Sequence, residues 1–411
     1  MPEISCRCCA DRKSFFACKP LRDAGTRPVA LHILKQRRRT DMKRTLALFL
    51  ALTLSLSLLA GCGGQEAQST PAPTGTTAPT ATPDAEEPTT KVVVDGLGRE
   101  VEIPWPVERA VVANRYNSEL IRACGAIDRV IAVDTNTAQD RVYWSQFDPD
   151  NVIGKGQSEL NYEKIVDLGA QVLITPKNGT YEQDQEMLEP FGIKVLVVTG
   201  WDNADLVNQI EAVGRIFDVE EKAAELRAFY EENQQKLDAC LANVTEKKTV
   251  YWEYGDPYTT CIPGTSNDGW HNMLVSAGAI NIFGDESLAG KDIDPEAILL
   301  ADPDLIIKTS SGPALKNTGV YTPPTQEMYE EMTAEMVSRP GWSDLKAVQN
   351  KNLYCTTGFC AGGLGKLIGA LYTATWLYPD ECADIDPDAV FGEWMSMQEV
   401  GPIEGHVYRL P

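Results

Sequence analysis

Past its first hundred residues the chain alternates short apolar runs with stretches of helical period. "RAVVAN" at 109–114, "SELIRACG" at 118–125, "RVIAVD" at 129–134, "YEKIVDLG" at 162–169, "QVLITP" at 171–176, "QEMLEPFG" at 185–192 and "KVLVVT" at 194–199 follow one another in this way. Unbroken apolar runs suit strands buried on both faces, and the helical stretches between them suit the layers that cover such a sheet. Ahead of these runs "KVVVDGLGREVEI" alternates around a glycine turn and predicts a hairpin. From Asp205 to about Leu241 the strand signal stops, and Leu226, Tyr230, Leu237 and Leu241 mark one helical face. A helix over 220–241 would be roughly 33 Å long at about 1.5 Å per residue, with acidic residues in its first turn to suit the helix dipole.

The alternation then resumes with "KTVYWEYG" at 248–255, "GWHNMLVSAGAINIFG" at 269–284, "PEAILLADPDLIIKT" at 295–309, a helix near 332–339, "NLYCTT" at 352–357 and a helix from about Leu364 to Tyr378. The predicted fold is α/β: two Rossmann-like lobes, 91–204 and 245–411, joined by one long rigid α-helix inside a connection over 205–244. An internal echo supports two lobes. Shifted by 133 positions, "NYEKIVDLGAQVLITP" falls on "DPEAILLADPDLIIKT", with Glu163 on Glu296, Ile165 on Ile298 and Ile174 on Ile307. A helix-then-strand unit used once in each lobe places the two carboxylates at equivalent points.

The N-terminal part is of another kind. Residues 1–61 carry 12 Lys+Arg against 4 Asp+Glu, which leaves 25 against 55 for the remainder. A body so acidic repels phosphate backbones, so no nucleic-acid partner is expected. From Met42 a basic start, an apolar run from Leu46 to Ala60 and small residues read as a secretory signal over 42–61; an uncut signal anchor is the alternative. Residues 1–41 precede that signal and are expected to be a mis-assigned leader, since the spacing of Cys6, Cys8, Cys9 and Cys18 supports no metal site. After Cys62, the segment Gly63–Thr90 has eight Thr and five Pro, and the 62–90 stretch is expected to be a flexible linker.

The order and spacing of "ERAVVANRYNSELIRACGAIDRVIAV", "YEKIVDLGAQVLI", "LEPFGIKVLVV", "EEKAAELRAFYEE", "GWHNMLVSAGAINIFG", "PEAILLADPDLII" and "GWSDLKAVQNKNLY", from about Val92 to Tyr378, resemble the class III, cobalamin/iron-siderophore type, substrate-binding proteins of ABC importers. "LAGC" at 59–62 likewise resembles the bacterial lipoprotein box, which implies lipidation of Cys62 and an anchor on the extracytoplasmic face of the cell membrane. The resemblance implies a monomer that clamps a metal chelate (ferric siderophore, haem or cobalamin type) between its lobes and hands it to an ABC permease with its ATPase. It implies that Glu163 and Glu296 meet the permease; an ordinary first-turn carboxylate is the plain alternative for each. An exported sensor of the same compounds, and a cell-surface α/β enzyme, are the competing readings of the whole chain.

A cleft at strand C-terminal ends would draw on Arg115, Tyr116, Tyr143, Trp144 and Tyr181 from the first lobe. From the second it would draw on Tyr254, Tyr258, Trp270, Ser310, Ser311 and Phe359. Aromatic walls suit a large planar or cage-like ligand, and Arg115 suits an anionic group on it. No intrinsic cofactor or metal site is expected. His271 remains open between axial metal ligand and helix-end histidine, and the three histidines form no cluster in sequence. "GFCAGGLGKLIG" fits neither a dinucleotide fingerprint nor a P-loop, and no nucleophile elbow occurs, so no catalytic residues are assigned. Cys355 and Cys360 are open between a pair and two buried thiols.

Overall fold

In the computed structural model, residues 89–309 and 319–411 are described. The expected leader, signal, Cys62, most of the 62–90 linker, and Ser310 with Ser311 lie outside the described residues. Strands β1 (Thr89–Val94) and β2 (Glu100–Trp105) form the antiparallel hairpin read from the alternating pattern. Its turn is held by Asp95, fully buried, whose carboxylate pairs with Arg99 at 2.7 Å and accepts the N–H of Leu97 and of Val197. The last of these bonds docks the hairpin on the first lobe.

That lobe is a parallel sheet of β3 (Ala110–Val112), β4 (Val130–Val133), β5 (Val172–Thr175) and β6 (Lys194–Val197), in the order β4-β3-β5-β6. Helices α1 (Arg115–Ala123), α2 (Thr135–Ala138), α3 (Tyr162–Asp167) and α4 (Tyr181–Leu188) connect the strands. The second lobe has β7 (Thr249–Tyr254), β8 (Ile280–Asn281), β9 (Leu305–Thr309), β10 (Leu353–Thr356) and β11 (Val407–Arg409), in the order β11-β10-β9-β7-β8. All of these pair in parallel except the edge strand β11. Every residue of β3, β5, β9 and β10 is buried, which is why their sequences read as mainly apolar runs, with Lys308 of β9 the charged exception, paired with Glu253.

Between the lobes run α5 (Leu206–Phe217) and α6 (Glu220–Leu241). Gly214 lets the two approach: a Cβ there would stand 2.8 Å from that of Ala223. The 22 residues of α6 bury Ala223, Leu226, Phe229, Asn233, Leu237 and Cys240 along one stripe. The stripe belongs to a single apolar core that runs from Val93 in the hairpin to Trp394 near the C-terminus, so the helix is packed by both lobes. The second lobe is completed by α7 (Asp268–Ser276), α8 (Pro295–Ala301), α9 (Gln326–Ser338), α10 (Lys346–Gln349), α11 (Gly363–Leu377) and α12 (Pro387–Met397).

The echo has a structural form. Helix α3 starts at Tyr162 and α8 at Pro295; β5 starts at Val172 and β9 at Leu305, each pair 133 positions apart, and the two strands lie in different sheets. Both helices are capped by side chains one residue earlier, Asn161 and Asp294. Glu163 and Glu296 are each the second residue of their helix, and both are exposed.

Sequence spacing did not reveal the cross-link between Cys240, at the end of α6, and Cys382, beyond α11. Cys124, Cys261, Cys355 and Cys360 are buried free thiols, so Cys355 and Cys360 are not a pair. The bond ties the inter-lobe helix to the second lobe across 142 positions. A loop that long should contribute on the order of 2–5 kcal/mol through the unfolded chain. Cys382→Ser is expected to lose that amount in urea unfolding under oxidising conditions, and reductant should bring the wild type down to the variant; equal midpoints would remove the staple.

Candidate functional site

The site begins where β3 ends. Asn114 takes a φ of 81° with a ψ of 126°, outside the left-handed helical region asparagine usually tolerates, and its side-chain oxygen accepts the Tyr116 N–H at 3.0 Å. That cap launches α1 with Arg115 and Tyr116 as its first residues. Arg115 Nη2 donates to the Tyr116 hydroxyl at 2.8 Å and, across the lobes, to the Gly358 carbonyl at 3.2 Å. The Tyr116 ring lies against the start of α11, where a Cβ on Gly362 would come within 2.9 Å of it. Glycine at 362 is therefore what lets a first-lobe ring sit on second-lobe backbone.

Beside this contact lies a cavity of about 510 Å³, within the size range of small-molecule sites. It occupies the C-terminal ends of β3 and β4, where open parallel sheets place their ligands, and is closed from the other lobe by the 319–322 segment that precedes α9. Asp140 makes that closure. Its carboxylate accepts the Tyr321 N–H at 3.2 Å and the Thr322 hydroxyl at 3.1 Å, and a Cβ on Gly319 would stand 2.3 Å from Asp140 Oδ2. Behind the wall Tyr143 stacks on Tyr321 with centroids 4.1 Å apart and donates to Gln398 Oε1 at 2.5 Å; Gln398 Nε2 donates to the Glu119 carbonyl at 3.0 Å. The Arg122 guanidinium stands 4.7 Å from the Tyr143 ring and 5.1 Å from that of Trp144.

Glu119 lines the cavity at 3% exposure, and its Oε1 has no hydrogen-bond partner among the described residues. Burial pushes its carboxyl up to about 7, against the opposing pull of Arg115 and a hydrogen bond from Tyr321, while Asp140 adds to the rise. Among the described residues no group of three or more His, Cys, Asp or Glu side chains is placed to hold a metal ion. His271 Nδ1 instead sits 3.1 Å from the Asn281 amide.

Of the residues expected in a cleft, the structure brings Arg115 and Trp144 to the cavity, with Tyr143 directly behind and Tyr116 at the lobe boundary. Tyr181 starts α4 with its ring 5.1 Å from the Arg99 guanidinium and packs on the outer-face core of the first lobe. Tyr254 stacks on Trp252 at 5.6 Å, and Tyr258, with a φ of 63°, stands 5.0 Å from the Arg339 guanidinium. Trp270 is buried against Trp252 at 4.7 Å, and Phe359 is buried beside Phe391 at 5.0 Å. Sequence reasoning passed over Glu119, Asp140 and Tyr321. For Glu119 a signal existed, because it lies one helical turn after Arg115; Asp140 and Tyr321 meet only through the fold.

A cavity between two parallel-sheet lobes braced by a continuous helix is the architecture of a two-lobed solute-binding protein. The chain belongs to the periplasmic binding protein family, whose pattern matches residues 111–358. Relatives of this kind include proteins named as substrate-binding components of ABC transporters. The chain is 23% identical over 321 residues, 76% of this chain and 90% of the relative, to the uncharacterized ABC transporter substrate-binding lipoprotein YvrC of Bacillus subtilis. It is 22% identical to a vitamin B12-binding protein of Vibrio vulnificus over 59% of this chain and 88% of that one. The TroA-like periplasmic binding protein FepB of Veillonella parvula shares the fold with a TM-score of 0.62 at 23% identity, covering 78% of this chain and 99% of that one. Other matched proteins are named for molybdate and for heme.

The raised Glu119 carboxyl sets a sign for stability. Between the ordinary glutamate value of 4.5 and about 7 the folded chain holds a proton that the unfolded chain has lost. The stability this group contributes is full below the ordinary carboxylate range and is lost as pH rises through about 7. The loss should be on the order of 3 kcal/mol. Glu119→Gln is expected to gain that much on the wild type between pH 5 and pH 8 in urea unfolding; parallel pH profiles would refute the shift.

Proposed function

We propose that this protein captures a metal chelate (a ferric siderophore, haem or a cobalamin-type compound) outside the cytoplasm and delivers it to an ABC permease while anchored to the membrane through lipidated Cys62. The observation that carries the reading is the duplicated unit: Glu163 and Glu296 are exposed at the same position of the same capped helix in two lobes whose sheets are separate. A permease with two matching basic contacts would be met by one acidic contact from each lobe. Exposed ion pairs contribute roughly 0–1 kcal/mol each, so they would set orientation and encounter rate more than affinity. The cavity supports a chelate over a bare ion, because its walls combine Arg115, Trp144 and Tyr321 with amide and hydroxyl side chains and offer no ligand cluster among the described residues. Relatives named for vitamin B12 and heme binding are compatible with that cargo.

Tryptophan fluorescence of the chain from Pro83 onward, titrated with ferric siderophores, haem, cyanocobalamin and molybdate, tests the cargo. Quenching is expected from one chelate class and should drop sharply in Trp144→Phe; a response to molybdate alone would replace the chelate reading with an oxyanion one. Docking is tested separately. Glu163→Arg combined with Glu296→Arg should leave ligand affinity unchanged and abolish uptake in cells that carry the cognate permease, whereas normal uptake would remove the docking role.

A further inference from the structure

The cavity wall sets a donor beside an acceptor. Arg115 and Glu119 both line it and stand one turn apart on α1, a spacing that brings side chains together. Arg115 is held in place by Tyr116 and by the Gly358 carbonyl of the other lobe. A guanidinium offers only N–H donors, and an ionised carboxylate offers only acceptors. Glu119 Oε1, buried and without a partner among the described residues, is an acceptor still to be satisfied. The group complementary to such an edge has its own acceptor next to its own donor, which describes a carboxamide: C=O toward Arg115, N–H toward Glu119. A ligand carboxylate there would satisfy Arg115 but meet Glu119 charge against charge.

We propose that Arg115 and Glu119 form a carboxamide-reading pair, so that the cavity prefers a chelate with neutral amides on its periphery to one with peripheral carboxylates. The inference rests on the reading of this cavity as the chelate site. The charged and titratable groups that face Glu119 are Arg115 and Tyr116 on its own helix, Asp140 after α2, Tyr143 with Arg122 beside it, and Tyr321 from the second lobe. With the Glu119 carboxyl at about 7, the preference holds above neutral pH and fades below it. A protonated carboxyl no longer repels a ligand carboxylate and can donate to it.

One matched probe pair tests this by fluorescence titration, dicyanocobinamide against dicyanocobyrinic acid, which share a corrin ring and carry amides or carboxylates; ferrichrome against ferric citrate is a coarser second pair, an amide-bearing against a carboxylate-bearing ferric chelate. The wild type should bind the amide member of a pair about tenfold tighter at pH 8, with the ratio collapsing at pH 6. Glu119→Gln, checked as folded by its unfolding transition, should make the ratio independent of pH. Preference for the carboxylate member at pH 8, or a ratio that ignores both pH and the substitution, overturns the pair and leaves the chelate site standing. Binding of none of the four probes overturns the pair as a reader of corrinoid and siderophore amides, and the haem arm of the chelate reading is then decided by the tryptophan titration above. The wild-type pH series requires no variant, so it decides the question even if Glu119→Gln does not fold.

Discussion

Helix α6 fixes how far apart the two half-sites can stand. Its buried stripe is shared by one apolar core that continues into both lobes, so sliding or bending the helix would open that core and not merely stretch a linker. Gly214 brings α5 close at the first-lobe end, and Cys240 is bonded to Cys382 at the second-lobe end. Each end of the brace is thus fastened to a different body. The separation of β3 and β4 from the 319–322 segment, and with it the size of the cavity, follows from this attachment.

What crosses the cavity side is of a different kind. Arg115 to Gly358, Asp140 to Tyr321 and Thr322, Tyr143 to Gln398, and Asn203 to Gly363 are hydrogen bonds between the lobes. Each contributes roughly 0.5–1.5 kcal/mol net. Together they amount to the few kcal/mol over which a ligand can shift a conformational equilibrium. Motion between the lobes would therefore break these polar contacts and the Tyr143–Tyr321 stack while the stripe of α6 stays packed, so small rotations about a stiff axis are favoured over wide opening.

Much of this architecture was legible from the chain alone because parallel strands buried on both faces leave mainly apolar runs, and "QVLITP" and "DLIIKT" coincide with β5 and β9. The 133-residue offset of α3–β5 and α8–β9 was visible for the same reason: burial of Ile165 and Ile298 fixes the helix phase, and with it Glu163 and Glu296. The edge strand β11 carried no such signal, since three residues are too few for a pattern to emerge; helix α12 did carry one, with Asp386 and Pro387 at its start and Val390, Phe391, Trp394 and Met395 at helical spacing, and it was passed over. Aromatic residues near strand ends read alike whether they face a ligand or a core, so Trp270 and Trp144 could not be told apart by type. Cys240 and Cys382 meet only when α6 is laid beside α11, which spacing in sequence does not express.

Two buried glutamates differ in how fully their charge is answered. Glu253, fully buried in β7, is bonded to Lys308 at 2.7 Å and to Arg339 at 2.7 Å, and accepts the Tyr258 N–H; these partners hold its carboxyl below the usual range despite burial. Its charge is answered within the second lobe, and its place in the molecule is structural. Glu119 is almost as deeply buried, yet its carboxyl is pushed to about 7 and one oxygen goes unanswered. Were its task only to hold α1, a glutamine or an apolar residue would serve without the desolvation cost. A chain that places a carboxylate at the edge of a cavity, with Arg115 to orient a guest and no internal donor to complete the set, leaves that donor to come from the ligand.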